Sequence, residues 1–461
     1  MSKYENDFFC IECSESDYNI LFHRPTGKIS KVNKDFVLDD QVREGLTQKF
    51  PELQHTNDED SKLEFGKGMI GLTYMSSRTC NLGCRYCFAE EGEYGKREDK
   101  PSFFTYENYM NSIKTALEMY PQGIKSICFF GGEPLLNFNI IKQFIPDCID
   151  YLEKRGANIP KMSVASNIIA LTEEMAEFFK KYDVSFVISL DGSKELNDFA
   201  RITKSNKTSV YDMVVSKAKI LEKYKIRYAV QATINKNHLS KYKKGFAIQW
   251  LQELEELNWE NLAVVPVETD ISDMSISGEN ELRVLEEFLK ELVRYTVDKL
   301  KRGCKDHIVT GLVAPMLQVA RNKYIRSCSA GHSVYFDTDG NIYPCQMFCN
   351  FDESRLGDIE HGWDKTKVEE YANIGKSKSE HCKACIAYKY CSMWCKGLQL
   401  ISNGDMLKTC EPRCLYQKVI VEESIRCLIE INKDKEVRDL FWKTYKEVSE
   451  KLINNGYIKR G

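Results

Sequence analysis

The sequence lacks several features that mark other classes of protein. No apolar run approaches the roughly 20 residues that a bilayer-spanning helix needs. The first residues, MSKYENDFFC, place no basic segment before an apolar stretch, so we predict no signal peptide and a cytoplasmic protein. The formal net charge is only −3, without the basic surplus of a nucleic-acid-binding protein. These absences predict a globular protein that engages neither nucleic acid nor a membrane.

Cysteine, in contrast, is abundant, with 18 residues in 461. Thiols in the cytoplasm stay reduced, so a disulfide framework is not expected there. Clustered cysteines in such a chain more often bind metal. Twelve of the 18 fall into two groups, residues 80–87 and 328–414. The cysteine spacing is therefore the feature most informative about function.

The order of apolar and polar segments predicts three domains. Residues 1–67 read as a small α+β unit of three short strands and a helix, with a polar linker at 55–62. Residues 68–303 alternate six β-rich segments with helical patterns, which predicts an α/β fold, a partial (β/α)6 barrel of the TIM-like kind. The six predicted strands are residues 71–76, 126–131, 162–166, 184–190, 228–234 and 262–267. Residues 304–461 are rich in cysteine and glycine and finish in two helices.

The first cysteine group follows the first barrel strand directly. Cys80, Cys84 and Cys87 form the pattern C-x3-C-x2-C in CNLGCRYCF. Thiolates are soft ligands that select zinc, Cu(I) or iron–sulfur clusters. A [4Fe–4S] cluster normally takes four cysteines, so three would leave one iron open to a substrate. Spacing alone leaves a zinc loop, or three reduced cysteines in a turn, as an equal alternative.

A second motif follows the second predicted strand. The segment SICFFGGEPLLN contains Gly131, Gly132, Glu133 and Pro134. Glycines let the backbone approach a ligand closely, and a carboxylate at a strand end accepts hydrogen bonds from an ammonium group. A tight turn is the alternative interpretation. Polar residues also end the next two strands, in the segments VASN and ISLDGSKELNDFAR: Ser166, Asn167, Ser189, Asp191 and Arg201.

The C-x3-C-x2-C loop, with Tyr86 before its last cysteine and GGEP on the next strand, resembles the radical S-adenosylmethionine (radical SAM) superfamily. The resemblance implies a [4Fe–4S] cluster on Cys80, Cys84 and Cys87 that cleaves S-adenosylmethionine to a 5′-deoxyadenosyl radical. It implies a reductant partner such as flavodoxin or ferredoxin. The implied cofactor contacts are the GGEP motif for the methionyl amino group, Arg201 for the methionyl carboxylate, and Ser166, Asn167, Ser189 and Asp191 for the ribose.

The later cysteines follow the pattern C-x11-G-x4-C…C-x2-C-x5-C-x3-C…C, which resembles the SPASM extension of peptide-modifying radical enzymes. The resemblance implies two auxiliary [4Fe–4S] clusters. One would be held by Cys382, Cys385, Cys391 and Cys414, with Cys410 as the alternative to the last. The other would be held by Cys328, Cys345 and Cys395, and either Cys304 or Cys349 completes it or one iron stays open. Structural zinc sites are the alternative.

Residues 1–67 resemble the leader-recognition domain of ribosomal-peptide maturases, which binds by adding a peptide strand to a sheet edge. A unit that only caps the barrel is the alternative. We therefore predict a radical SAM maturase that joins a cysteine sulfur to a carbon of a precursor peptide, of the sactipeptide or ranthipeptide type. Carbon–carbon crosslinking or another peptide oxidation, including formylglycine formation as in sulfatase maturases, is the alternative. No general base is visible from a motif.

Overall fold

A ten-stranded sheet organises the molecule, and a separate three-stranded sheet lies beside it. The computed structural model describes residues 7–50, 62–92, 94, 101–205, 207–328 and 330–455. Most of the predicted linker, residues 55–61, lies outside these described residues. None of the helices within them combines the length and the apolar character that crossing a membrane requires.

Six neighbouring parallel strands form the centre of the large sheet in chain order, each joined to the next through helices. They are β4 (Ile70–Ser77), β5 (Ile124–Gly131), β6 (Lys161–Ser166), β7 (Ser185–Ser189), β8 (Tyr228–Ile234) and β9 (Asn261–Pro266). Each overlaps a strand predicted from the sequence. Seven of the eight residues of β4 are buried, because both faces of a parallel sheet are covered. The predicted α/β fold is confirmed.

Helices cover the outer face of these strands. They are α2 (Tyr106–Met119), α3 (Phe138–Glu153), α4 (Glu173–Lys181), α5 (Lys194–Ala200), α6 (Val210–Lys223), α7 (Lys236–Ser240), α8 (Phe246–Leu254) and α9 (Glu279–Lys301). Side-chain hydroxyls of Thr105, Thr172 and Ser209 accept a backbone N–H in the first turns of α2, α4 and α6. Such a cap stabilises a helix by about 1 kcal/mol, so local sequence defines where these helices begin.

Residues after α9 extend the same sheet beyond β4. The elements are α10 (Thr310–Ala320), β10 (Ser333–Phe336), β11 (Asn341–Tyr343), β12 (Gly357–Asp358), β13 (Gly362–Trp363), α11 (Lys365–Ala372), α12 (Glu380–Lys383), α13 (Lys396–Asn403), α14 (Glu411–Ile431) and α15 (Lys435–Asn455). Strand β10 runs parallel to β4, and the remaining three are antiparallel. The sheet thus crosses the predicted boundary at 303, and the domain limits 1–67, 68–303 and 304–461 stay predictions.

The small sheet docks on the C-terminal region. It consists of β1 (Phe8–Ile11), β2 (Tyr18–His23) and β3 (Lys28–Asn33), and is followed by α1 (Asp40–Lys49). Arg24, in the turn between β2 and β3, donates through Nη1 to the carbonyls of Lys383 (2.6 Å) and Cys385 (2.7 Å). Lys389 Nζ donates to the carbonyl of Pro25 at 2.7 Å. This turn therefore contacts the loop that carries the later cysteines.

Candidate active site

The first cysteine loop lies at the carboxyl end of the parallel strands. The amide of Gly83 donates to the carbonyl of Ile202, and the amide of Arg85 donates to that of Ala200, both at 2.9 Å. These bonds join the loop to the segment after α5. Because active sites of barrels form at this end of the strands, the loop is where chemistry is expected. Its three cysteines are Cys80, Cys84 and Cys87.

The three thiols lie near one another in a mostly buried setting. Burial, together with neighbours that include Glu133 and the other two thiols, raises the pKa of Cys80 to about 12. Burial also raises the pKa of Cys84 to about 11, with Cys87 adding to the increase and Arg201 opposing it. A bound metal centre deprotonates its thiol ligands. Three convergent soft donors therefore fit an iron–sulfur cluster.

The two glycines of the GGEP motif allow β5 to end against the base of this loop. Gly131 has φ +124°, and a Cβ there would lie 2.3 Å from the carbonyl oxygen of Ser77. A Cβ on Gly132 would lie 2.4 Å from the carbonyl oxygen of Thr79. The amide of Gly132 instead donates to the carbonyl of Ser77 at 2.7 Å. Only glycine permits this approach.

Glu133 is fully buried and joins the motif to the end of β6. Its Oε1 accepts from Ser166 Oγ (2.7 Å) and from the amide of Leu135 (3.0 Å), and its Oε2 accepts from the amide of Asn167 (2.9 Å). Asn167 Nδ2 in turn donates to Asn81 Oδ1 in the cysteine loop at 2.8 Å. Burial raises the pKa of Glu133 to about 7, against the effect of these hydrogen bonds. A cationic ligand would restore its charge.

Asp191, which the resemblance assigns to the cofactor ribose, lies after β7 and contacts three donors of this chain. Its carboxylate is fully buried and accepts from Tyr86 Oη (2.5 Å), from Arg201 Nη2 (3.1 Å) and from the amide of Thr233 (2.9 Å). Asp191 thus holds Tyr86 and Arg201 in place, and its contact with the cofactor ribose stays a prediction. Ser189 lies half-buried at the end of β7.

Arg201 is buried beside the cysteine loop, and its charge acts on the thiol of Cys84. Its Nε is a buried donor without a hydrogen-bond partner among the described residues. A guanidinium with one uncommitted donor suits a carboxylate ligand. The arrangement therefore fits the methionyl carboxylate of S-adenosylmethionine, and the role stays a prediction.

A second cysteine group forms around the β10–β11 hairpin and the start of α13. Burial raises the pKa of the Cys345 thiol, and the neighbouring cysteines Cys395, Cys328 and Cys349 raise it further. These four side chains therefore lie together, whereas Cys304 is exposed after the end of α9. Of the two candidates for a fourth ligand, the geometry favours Cys349.

A third group brings together Cys382, Cys385, Cys391 and Cys414. Burial raises the pKa of Cys414, and Cys382 and Cys385 add to this increase. Cys410 instead donates a hydrogen bond to Glu268, so the grouping favours Cys414 over Cys410 as a ligand. The four cysteines of this group line a cleft of about 1240 Å³, which also touches residues 9–12 of the small sheet.

No three His, Cys, Asp or Glu side chains in the described ranges have the arrangement that holds one single metal ion. Sequence reasoning also missed several residues of the site. The side-chain amide of Asn81 contacts Asn167, and the backbone amide of Thr233 contacts Asp191. Neither contact leaves a pattern in the sequence. Glu268 and Cys410 are 142 residues apart and meet only in the fold.

Part of the chain matches a known protein family, and most of it is similar to characterised enzymes. Residues 74–235 match the model of the radical SAM superfamily. The chain is similar to the cysteine-type anaerobic sulfatase-maturating enzyme of Clostridium novyi (strain NT), with 28% identity over 72% of this chain and 88% of the relative. It is also similar to the radical SAM cyclopropyl synthase TigE of Paramaledivibacter caminithermalis, with 23% identity over 81% and 77% of the two chains.

A solved structure, native anSMEcpe with bound AdoMet and the Kp18Cys peptide, shares the fold with a TM-score of 0.65. It is 19% identical and covers 80% of this chain and 100% of its own. The matched segment 74–235 contains the cysteine loop, the GGEP motif, Asp191 and Arg201. Over residues 74–235 the chain matches the radical SAM superfamily, and a [4Fe–4S] cluster and S-adenosylmethionine are its cofactors.

Proposed function

We propose that this chain is a radical SAM maturase that oxidises a ribosomally made precursor peptide, joining a cysteine sulfur to a carbon as a thioether. The observation that carries the proposal is the cleft between the small N-terminal sheet and the third cysteine group. A sheet that binds a peptide strand, placed beside the cysteines of an auxiliary cluster, would hold a peptide substrate near that cluster. The similarity to a sulfatase-maturating enzyme and to TigE supports a peptide or protein substrate.

The small sheet offers one open edge for a peptide strand. At β1, the carbonyl of Phe8 accepts from Arg43 and that of Glu12 accepts from Arg426, so side chains cover this edge. At β3, the other edge, four of six residues are exposed. Added strands bind through backbone hydrogen bonds, which such an edge supplies. We propose that the leader segment of the precursor binds along β3.

At the first cysteine loop, this chain's residues bind and orient the cofactor. Cys80, Cys84 and Cys87 would hold three irons, and Glu133 and Arg201 would bind the ammonium and carboxylate groups of S-adenosylmethionine. When bound and reduced by a flavodoxin- or ferredoxin-type partner, the cluster supplies the electron that releases a 5′-deoxyadenosyl radical from the cofactor. Asp191 would keep Arg201 and Tyr86 oriented throughout.

The other two cysteine groups would hold auxiliary [4Fe–4S] clusters of a SPASM-type region. Cys349 beside Cys328, Cys345 and Cys395 supports a fully ligated second cluster that takes up an electron. The similarity to the sulfatase-maturating enzyme of Clostridium novyi favours a second candidate function, oxidation of a cysteine to formylglycine in a protein substrate. Both reactions begin with the loss of two hydrogens from the substrate, and formylglycine formation then needs water to hydrolyse the thioaldehyde, with release of hydrogen sulfide.

The test first asks whether a neighbouring gene encodes a short cysteine-rich peptide, and then incubates that peptide anaerobically with the reconstituted enzyme, S-adenosylmethionine and a reductant. We expect about 12 irons per chain, from three clusters. We expect a product lighter by two hydrogens per crosslink, whose cysteines resist alkylation. A lighter product whose cysteines are still alkylated contradicts thioether formation. A cysteine converted to an aldehyde supports formylglycine formation instead.

A further inference from the structure

A thiol, a carboxylate and a guanidinium meet at the same edge of the sheet as the first cysteine loop. Glu268 lies two residues beyond the end of β9. Cys410 directly precedes α14, and Arg413 lies in the first turn of that helix. The three residues therefore connect the carboxyl end of the last parallel strand to the region that carries the later cysteines.

The geometry of this group is compact and largely buried. Cys410 Sγ donates to Glu268 Oε1 at 2.6 Å, and Arg413 Nε lies 2.9 Å from Glu268 Oε2. The side chains of Glu268 and Arg413 are only 10% and 9% exposed. The guanidinium of Arg413 lies over the ring of Trp394, which precedes Cys395. The charge of Arg413 also acts on the thiol of Cys395 in the second cysteine group.

The stoichiometry of the proposed reaction requires a base near an electron acceptor. In thioether formation, one S–H and one C–H bond break and one S–C bond forms. The hydrogen atom of the C–H bond is transferred to the 5′-deoxyadenosyl radical. The remaining proton and electron must leave separately, the electron to an auxiliary [4Fe–4S] cluster. Oxidation of a cysteine side chain to a thioaldehyde releases the same hydrogen atom, proton and electron.

We propose that Glu268 accepts this proton, with Arg413 holding its carboxylate in place. The inference rests on the proposed function, since it assigns a residue to the same reaction. A thiol is a weak hydrogen-bond donor, so a donor group of the substrate can displace Cys410 from Oε1 at little cost. Arg413 lies beside Glu268, and its charge acts on Cys395, so it would also favour an added electron on a cluster that this cysteine holds.

Three other titratable groups at this edge, Glu133, Asp191 and His238, lack a replaceable partner among the described residues. Both oxygens of Glu133 and of Asp191 accept strong donors in buried positions. His238 is fully buried, with Nδ1 bonded to Asn235 Oδ1 (3.1 Å) and Nε2 bonded to the carbonyl of Asp191 (2.8 Å). Of Glu133, Asp191, His238 and Glu268, only Glu268 has an oxygen whose hydrogen-bond donor is a thiol, the weak donor that a substrate group can replace.

A first test measures the pairing of Cys410 and Glu268 without turnover. Burial and the neighbouring Glu268 raise the pKa of Cys410 to about 12, so the thiol should alkylate slowly. We expect Glu268→Gln to accelerate alkylation of Cys410 in the anaerobic holoenzyme by about tenfold for each pKa unit removed. Mass-spectrometric peptide mapping with iodoacetamide gives the rate. An unchanged rate would overturn the pairing.

The matched control is Glu255→Gln, which removes a carboxylate from another largely buried ion pair, with Lys299 at 2.8 Å. It should leave the alkylation rate of Cys410 unchanged. If both variants accelerate alkylation equally, general loosening of the fold explains the effect and the pairing is wrong.

A second test measures catalysis with the peptide that wild-type enzyme modifies. Glu268→Gln should retain iron content and formation of 5′-deoxyadenosine but lose about a hundredfold in product formation, as expected for loss of a general base. Product formation equal to that of wild type and Glu255→Gln would overturn the role of Glu268. A wild-type enzyme that forms no modified peptide would instead contradict the proposed function.

Discussion

The first and second cysteine groups bind the same kind of centre in our proposal but are encoded differently. The first takes all its cysteines from eight consecutive residues, 80–87, in one loop after β4. The second takes Cys328, Cys345 and Cys395 from segments that only the β10–β11 hairpin and α13 bring together. A local group is visible as a spacing, whereas a dispersed group depends on the tertiary fold.

The strongest test of this comparison removes one thiol from the local loop. The first cluster would be held by three cysteines, and no other cysteine of the loop can replace one of them. Cys84→Ala should therefore abolish this cluster and all formation of 5′-deoxyadenosine. Iron content should fall by about four per chain, and chromatographic assay of 5′-deoxyadenosine gives the activity. Full activity in this variant would show that the loop is not the ligand set.

A second test compares two cysteines four residues apart at the start of α14. Cys414→Ala should lose about four irons per chain, because Cys414 lies with Cys382, Cys385 and Cys391. Cys410→Ala is the matched control and should retain the full iron content, since Cys410 bonds to Glu268. The reverse result would move the ligand role to Cys410.

A third test asks which cysteine completes the dispersed group. Cys349→Ala should alter the electron paramagnetic resonance signal of the second cluster and lower its iron occupancy, because Cys349 lies beside Cys345. Cys304→Ala should change neither, because Cys304 is exposed after α9. An unchanged signal in Cys349→Ala would favour an open iron and, with it, direct binding of a substrate thiolate.

The smallest expected effect is the pH dependence of cofactor binding at Glu133. Burial raises the pKa of this carboxyl to about 7, so it is largely neutral below that pH and charged above it. Only the charged form attracts the cofactor ammonium. Affinity for S-adenosylmethionine, measured by equilibrium binding, should therefore rise about fivefold between about pH 6 and pH 7.5, before deprotonation of the cofactor's own ammonium group reduces binding.

The control for this titration is Glu133→Gln, which keeps the shape of the side chain without the charge. Its affinity should be low and nearly independent of pH over the same interval. A slope in Glu133→Gln equal to that of the wild type would assign the titration to another group.

Much of the central sheet was predictable because its determinants are local. Buried parallel strands such as β4 read as apolar runs, and residues such as Thr105 and Thr172 mark where the helices begin. The cysteine loop and GGEP were visible for the same reason. The position of β10 beside β4 was not, since pairing between strands more than 250 residues apart leaves no periodic signal.

Details of the site depended on contacts that no spacing encodes. The ribose role expected for Asp191 stays a prediction, but no spacing predicted the three donors from the loop, the residue after α5 and β8 that bond to its carboxylate. The same limit hid the pairing of Glu268 with Cys410, a cysteine that the sequence offered only as an alternative cluster ligand. Sequence reasoning thus predicted candidate cluster and cofactor residues from local motifs and missed the partners that orient their side chains.

The docked turn at Arg24 and Pro25 has a consequence for engineering. Because Arg24 holds the carbonyls of Lys383 and Cys385, the small sheet is a structural part of the third cysteine group. Exchange of residues 1–67 for the equivalent unit of another enzyme, to redirect substrate choice, would remove this support. A successful chimera should keep the β2–β3 turn of this chain and change only the outer face of β3.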